Sequence, residues 1–333
     1  MGFGLQTFIL TGNLFMDNKI ELTPGEFTRL LNNFYQSNNI AVDPQRMATD
    51  SHLFNYIVQN HHITKQKYKV ALCFICLNPP YWEFINNAFN SARQYFLPGH
   101  DVDFFLWSDL PEENVKAGFP GVKYFNAEPI EWPYPTLMRY TLLLQQEEAL
   151  SAYDYVFYCD IDMLFVNVVG DEVLGKDKGI TAAQHPMYAT RKELWPPYEP
   201  NPQSASYIPR PGMIIQDEGK PRFMPLYFAG GFQGGGSKAF ITAMKETRKI
   251  VNKDLDNNYI PIWNDETAWN RHLFENPPEV VLTPAYIYPD SLIKEYYEPI
   301  VWGQSYPPKL VTLTKKFTVS KEGGEAVAKM IAK

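Results

Sequence analysis

The sequence predicts an α/β fold, a Rossmann-like nucleotide-binding sandwich over most of its length, and three observations predict it. Apolar runs of strand length at Lys69–Leu77, Val102–Trp107 and Tyr155–Cys159 are separated by segments with helical periodicity. The last of these runs leads directly into the acidic pair Asp160 and Asp162. Hydrophobic residues at 45% against 20% charged, with 22 Phe, 21 Tyr and 7 Trp, are the composition of a chain that folds around a core.

The first fifty residues look like an appendage. Thr23-Pro24-Gly25-Glu26 has capping-box spacing, and Phe27, Leu30, Leu31 and Phe34 share a helical face, so one amphipathic helix is expected there. The strand Lys69–Leu77 follows, a helix from about Tyr81 to Phe96, strands at Val102–Trp107 and Val122–Phe125, a helix from Thr136 to about Ala149, and the strand Tyr155–Cys159. Pro196, Pro197, Pro200, Pro202, Pro209 and Pro211 then break regular structure, as in a pocket wall or lid. The run Gly230–Gly236 reads as a turn facing a ligand, a helix is expected over Lys238–Asn252, and the polar stretch beyond it ends at Trp263-Asn264-Asp265-Glu266.

Several classes are disfavoured. A net charge of −7 gives no field for nucleic acid or an anionic membrane. The N-terminal apolar run Thr7–Leu10 falls far short of the ~20 residues of a membrane span. Three cysteines cannot build a disulfide framework and suit a reducing cytoplasm; Cys73 and Cys76 lie in an apolar run, where a buried strand is a better reading than a zinc or redox pair.

Asp160 and Asp162 sit at the carboxyl end of an apolar strand, the edge where open α/β sheets collect ligands. Two hard carboxylates there suit Mn²⁺ or Mg²⁺ held jointly with a diphosphate, whose leaving charge the ion would offset; two solvated carboxylates at a strand end are the plainer alternative. Asp265 and Glu266, bracketed by Trp263 and Trp269, suit stabilisation of an oxocarbenium-like sugar, while Asn264 or Asp265 could equally cap a helix through Thr267–Phe274. A structural role is the default for His185, and Lys315, Lys316 and Lys321 could clamp a diphosphate or form a solvated tail.

These features together resemble glycosyltransferase family 6. Asp160-Ile161-Asp162-Met163 is similar to that family's Asp-Val-Asp-Met, Pro202-Gln203-Ser204-Ala205-Ser206-Tyr207-Ile208-Pro209 to its Pro-Gln-Ser-x-Ala-Tyr-Ile-Pro, Gly230-Gly231-Phe232 with Gly234-Gly235 to its Gly-Gly-Phe-Phe-Gly-Gly, and Asn264-Asp265-Glu266 to its His-Asp-Glu. The resemblance implies a GT-A fold, Mn²⁺, a UDP-GalNAc or UDP-Gal donor, and retaining α-1,3 transfer to a glycan ending in galactose, with or without fucose. It implies one catalytic domain over 51–321, with donor binding at about 68–165, acceptor and catalytic parts at about 180–300, a diphosphate-closing segment at about 305–321, and a tail at 322–333.

Residue by residue, the resemblance implies metal binding by Asp160 and Asp162, uracil stacking on Tyr81, and donor contacts from Arg139 and Asp265. It also implies diphosphate closure by Lys315 and Lys321, acceptor contacts at His185 and Trp263, and a nucleophile at Glu266 that also meets substrate. Ala229 and Gly231, with Gly230 between them, fall at donor-discriminating positions, and small side chains there argue for UDP-GalNAc over UDP-Gal. The absence of an anchor and stem sets the expectation of a soluble cytoplasmic protein of bacterial or viral origin. Two competing classes are a haloacid-dehalogenase-type phosphatase, disfavoured by Leu164 and by the mid-chain position of the motif, and a lectin-like module without activity.

Overall fold

A computed structural model describes residues 8–10, 20–22, 67–188, 197–209, 214–217, 220–223, 226–290 and 308–315, with side chains omitted at 8–10, 20–22, 214–217 and 220–223. The chain forms two compact units, Met1–Lys67 and Tyr68–Lys333. In the first, β1 (Phe8–Leu10) pairs antiparallel with β2 (Ile20–Leu22). The helix expected over Phe27–Phe34 lies outside the described residues.

The second unit is built on a seven-stranded sheet. In chain order its strands are β3 (Lys69–Cys76), β4 (Asp101–Ser108), β5 (Lys123–Asn126), β6 (Tyr155–Cys159), β8 (Ile180–Gln184), β11 (Phe228–Gly236) and β12 (Val280–Leu282). Across the sheet the order is β12-β8-β11-β6-β3-β4-β5. β3 pairs parallel with β4 and β6, while β11 runs antiparallel between β6 and β8. A continuous apolar run marks a strand buried on both faces, and β3 behaves that way. Val70, Leu72 and Phe74 join one apolar layer and Ala71, Cys73 and Ile75 the other. All three cysteines are free and buried, as the strand reading expects.

Helix α1 (Ile85–Tyr95) turns Ile85, Ala88, Phe89 and Ala92 toward the first layer, the i, i+3, i+4, i+7 spacing of an amphipathic helix. It follows a 3-10 turn over Pro79–Phe84, so the helix expected from Tyr81 begins later. Between β4 and β5 lies α2 (Glu112–Gly118). The single helix expected over Thr136–Ala149 is three short ones, α3 (Tyr134–Leu137), α4 (Arg139–Leu144) and α5 (Glu147–Ser151). The breaks fall at Met138 (φ −88°, ψ 0°), at the edge of the helical region, and at Gln146 (φ −113°, ψ 30°), whose backbone leaves it.

The second layer is covered by α4, by α6 (Ser237–Asp256) through Phe240 and Met244, and by α7 (Asn264–Glu275) through Trp269 and Leu273. A small sheet, ordered β13 (Tyr288–Pro289), β14 (Leu310–Thr312), β7 (Met163–Phe165), attaches the C-terminal segment beside the end of β6. Elsewhere β9 (Ile214–Asp217) and β10 (Lys220–Phe223) form an antiparallel pair. No described helix is long and apolar enough to cross a membrane.

The glycine run corrects the sequence reading. It is not a turn: Phe228–Gly236 is a strand buried along its whole length. The glycines admit close neighbours. A Cβ at Gly234 would meet the Phe157 ring at 2.3 Å, and one at Gly235, where φ is +142°, would meet the Gly179 carbonyl oxygen at 2.2 Å. Because backbone rather than a flexible side chain blocks the latter, Gly235→Ala should destabilise the protein by roughly 2–4 kcal/mol. Urea unfolding checks this; an unchanged midpoint would contradict the packing described.

Candidate active site

The site assembles at the carboxyl end of β6. Asp160 follows the strand directly, its backbone N–H bonded to the Gly231 carbonyl at 2.8 Å, and Met163 N–H returns to the Asp160 carbonyl at 3.2 Å, closing a tight turn. The turn keeps Asp160 35% exposed by side chain and leaves Asp162 at 6%. The Tyr158 hydroxyl donates to Asp160 Oδ1 at 2.7 Å. The i, i+2 alternation of a strand sets Tyr158 and Asp160 on one face, a signal the sequence offered and the reading missed.

Arg139 is the hub. Buried at 4% exposure, it sends Nη2 to Asp160 Oδ1 at 3.1 Å, Nη1 to the Gly230 carbonyl at 2.6 Å, and Nη1 to Asp265 Oδ2 at 3.1 Å. Its guanidinium also lies 4.3 Å from the Tyr158 ring centroid. Burial opposes the cation, but Asp265, Tyr158 and Asp160 outweigh it, so Arg139 stays charged. One side chain thereby joins the acidic turn after β6 to the acidic first turn of α7.

Glu266 completes that helix turn. Its Oε2 accepts the Gly230 N–H at 2.7 Å, so a single glycine links Glu266 through its N–H and Arg139 through its C=O. The space between them is tight: a Cβ at 230 would stand 3.1 Å from Arg139 Nη1 and 3.5 Å from Glu266 Cβ. Burial raises the Glu266 carboxyl to about 7, with Gly230, Tyr227 and Arg139 opposing. Part of its surface remains open to solvent. The Tyr227 hydroxyl lies close enough to influence that titration without being aligned as a hydrogen bond. Burial likewise lifts Asp265 to about 7, with Arg139 pulling it down and Asp160 and Glu266 pushing it up.

Helix α7 is set on the sheet by Asn270, which sequence reasoning also missed. Its Oδ1 accepts the Phe228 N–H, and its Nδ2 donates to the Phe228 and Glu266 carbonyls, all at 2.8 Å. Trp263 rather than Asn264 or Asp265 is the helix cap, and its N–H donates to Thr267 Oγ1 at 3.0 Å. The Trp263 indole remains exposed. His185 packs against Tyr188 and Tyr227, its Nδ1 accepts the Met187 N–H at 3.2 Å, and burial lowers its pKa to about 4. It is therefore neutral.

The C-terminal segment brings Lys315 to the acidic turn. Leu313 N–H donates to the Asp162 carbonyl at 2.9 Å, and Lys315 Nζ lies 3.0 Å from Asp162 Oδ2 and 5.3 Å from the Tyr81 ring centroid. Lys321 lies outside the described residues. Among the described residues no group of three or more His, Cys, Asp and Glu converges as an all-protein cation cage. The carboxyl of Asp162 is pushed up by burial and by the charge of Asp160, with Lys315 opposing. Two hard carboxylates that feel one another, with a cation already drawn to the second, fit a divalent ion whose remaining ligands come from a diphosphate.

The small residues of β11 pack closely here. A Cβ at Gly231 would meet Ile287 Cδ1 at 2.7 Å and Asp160 Oδ2 at 3.0 Å, and Ala229 is a core residue at 3% exposure. Their small size serves the close packing of β11 against the Asp160 turn.

The mixed seven-stranded sheet between helical layers is consistent with a GT-A-like glycosyltransferase fold. The family model described as glycosyltransferase family 6 matches residues 49–300, and the chain belongs to that family. It is 28% identical over 247 residues to the histo-blood group ABO system transferase 1 of Rattus norvegicus, covering 72% of this chain and 66% of the relative. Against the globoside alpha-1,3-N-acetylgalactosaminyltransferase 1 of Homo sapiens it is 28% identical over 221 residues, 63% of this chain and 58% of the relative. The O-antigen biosynthesis glycosyltransferase WbnI of Escherichia coli is 21% identical over 222 residues, 67% of this chain and 88% of the relative. The chain thus spans less than two thirds of the length of the first two.

Proposed function

We propose that this protein transfers N-acetylgalactosamine from UDP-GalNAc, in α-1,3 linkage and with retention, to a galactose-terminated glycan in a divalent-cation-dependent reaction; UDP-galactose is the alternative donor. The observation that carries this reading is the Arg139 hub, which brings Asp160 and Asp265 to one guanidinium. Choice of GalNAc rests on similarity to a relative named for that sugar.

Asp160 and Asp162 would hold Mn²⁺ or Mg²⁺, which when bound offsets the negative charge that develops on the diphosphate. Lys315 adds a second positive charge beside Asp162, with Tyr81 beneath it as a flat surface for the uracil, and Lys321 is assigned to the same closure. Arg139 orients Asp160 and Asp265, and Asp265 and the Ala229–Gly231 edge receive the donor sugar. As the bond from the anomeric carbon to the phosphate oxygen breaks, its electron pair leaves with UDP. The Glu266 carboxylate stabilises or captures the positive anomeric carbon. The acceptor oxygen then forms the new bond to the anomeric carbon, any bond to Glu266 breaking as it does so, and the acceptor proton passes to the departed diphosphate oxygen. Trp263 offers the acceptor an exposed aromatic face, with His185 on the Tyr227 side.

UDP release from UDP-GalNAc and UDP-Gal, measured with lactose as acceptor, tests this. Release is expected with Mn²⁺, and its loss with EDTA and in Asp160→Ala. A protein that releases no UDP from either donor under any condition is not this enzyme, and a clear preference for UDP-Gal rejects the donor assignment.

A further inference from the structure

Glu199, only 1% exposed, lies outside the acidic turns and is absent from the mechanism above. Its Oε1 accepts the Asn201 N–H at 2.9 Å and the Tyr259 hydroxyl at 2.6 Å, and its Oε2 accepts the Ile262 N–H at 2.9 Å. Asp254, in the last turn of α6 and equally buried, accepts Ala205 N–H at 2.6 Å and the hydroxyls of Ser204 and Ser206 at 2.9 Å each. Two buried carboxylates therefore cross-link the segment around 199–206 to the turn between α6 and α7. Bonds to a charged acceptor are the strong kind, and their geometry is fixed.

What this cross-link holds matters. Ile262 immediately precedes Trp263, whose carbonyl accepts the Glu266 N–H at 3.1 Å. The same segment places Tyr198 against Tyr227, ring centroids 5.6 Å apart, with the Tyr198 hydroxyl donating to the Leu226 carbonyl at 3.0 Å. Tyr227 in turn faces Glu266. Glu199 thus stands where the chain carrying the exposed Trp263 indole meets the chain that braces Tyr227, the two aromatic groups adjoining Glu266. Its hydrogen bonds described above run to Asn201, Tyr259 and Ile262 rather than to Asp160, Asp162, Arg139 and Lys315, which form the proposed diphosphate side.

We propose that Glu199 is a positioning residue for the sugar acceptor: it fixes Trp263 relative to Tyr227, so that an acceptor hydroxyl is aimed at the anomeric carbon above Glu266. This rests on the glycosyl-transfer reading above. Glu199→Gln keeps the shape but turns an NH₂ group toward N–H or O–H donors, so the Ile262 or the Tyr259–Asn201 connection is lost.

The test compares transfer to lactose with hydrolysis of UDP-GalNAc by water, in wild type and Glu199→Gln. The transfer-to-hydrolysis ratio should fall about tenfold or more and the lactose KM should rise, while donor KM stays within about twofold, because a misplaced acceptor loses alignment without weakening the nucleotide. Tyr259→Phe removes one of the three donors and leaves both backbone bonds, so a smaller shift of the same sign, roughly two- to fivefold, is expected even if Glu199→Gln folds poorly. Equal loss of transfer and hydrolysis in Tyr259→Phe, or an unchanged ratio in both variants, overturns the proposal. A wild type that releases no UDP overturns the glycosyl-transfer reading instead.

Discussion

Glu266→Gln should lower sugar transfer by roughly three to four orders of magnitude while leaving UDP affinity nearly intact. The substitution keeps size and removes the negative charge that the proposed mechanism sets against the anomeric carbon, whereas the proposed nucleotide side consists of Asp160, Asp162 and Lys315. The Gly230 N–H that Glu266 accepts at 2.7 Å can still bond the amide oxygen, so the backbone there has no cause to move. Single-turnover kinetics with a UDP titration separate the two quantities. Undiminished transfer would remove Glu266 from the mechanism.

The same carboxyl has a stability consequence of definite sign. Its pKa in the folded protein is raised to about 7 from an ordinary 4.5, with burial the main cause. A raised folded value means that stability is fully present below about pH 4.5 and is lost as pH rises through about 7. Part of Glu266 is open to solvent, which moderates the effect. Glu266→Gln should therefore be more stable than wild type at pH 8, by about 1–2 kcal/mol, and this advantage should vanish near pH 4.5. Catalytic carboxylates that cost stability are the ordinary expression of a trade-off between activity and stability. Before donor binds, kcat/KM should also fall as pH drops below about 7, because the ionised form does the work.

Arg139→Leu should be the most damaging single change to the fold of the site, costing about 3–5 kcal/mol and abolishing transfer. It leaves Asp265, 3% exposed, without the Arg139 ion pair, strips Asp160 of one of its two side-chain hydrogen-bond donors among the described residues, and removes a donor from the Gly230 carbonyl. Arg139→Lys should rescue little, since one ammonium cannot span three acceptors arranged for a planar fork. The pH dependence gives a distinctive check. Once the arginine is gone, Asp265 is neutralised more easily, so the stability deficit should shrink as pH falls from 8 to 5. Thermal melts across that range measure it. A deficit that is constant with pH would assign the loss to packing alone.

How much of this was legible in the sequence depended on whether side chains advertised their surroundings. Apolar runs marked β3, β4 and β6 because both faces of those strands are buried, and the acidic turn after β6 was placed at a ligand-collecting sheet edge by the same argument. β11 escaped because a strand of glycines carries no alternating pattern; its burial is set by the Phe157 ring and the Gly179 backbone pressed against it. Gly230 and Gly231 also pack closely against Arg139, Glu266, Ile287 and Asp160, a proximity that no local pattern announces.

Arg139 was legible only as a donor contact implied by resemblance. That it joins Asp160 to Asp265 requires knowing that α7 lies across β11, a tertiary fact secured by Asn270. Pairing of Lys315 with Asp162 depends likewise on β14 lining up antiparallel with β7, a register with no local sequence signal. Asp265 and Glu266, by contrast, could be read as an acidic helix start even though the cap proved to be Trp263, because the cap and both carboxylates belong to the same first turn.

Electron paramagnetic resonance of manganese, titrated into the protein in the presence of UDP, tests the central claim most directly. If the Asp160–Asp162 couple and a diphosphate jointly hold the ion, free Mn²⁺ signal should be depleted to a single bound ion per chain. That depletion should be lost when UDP is omitted or when Asp162→Asn is substituted. Manganese uptake that ignores both UDP and the two aspartates, or no uptake at all, would contradict it.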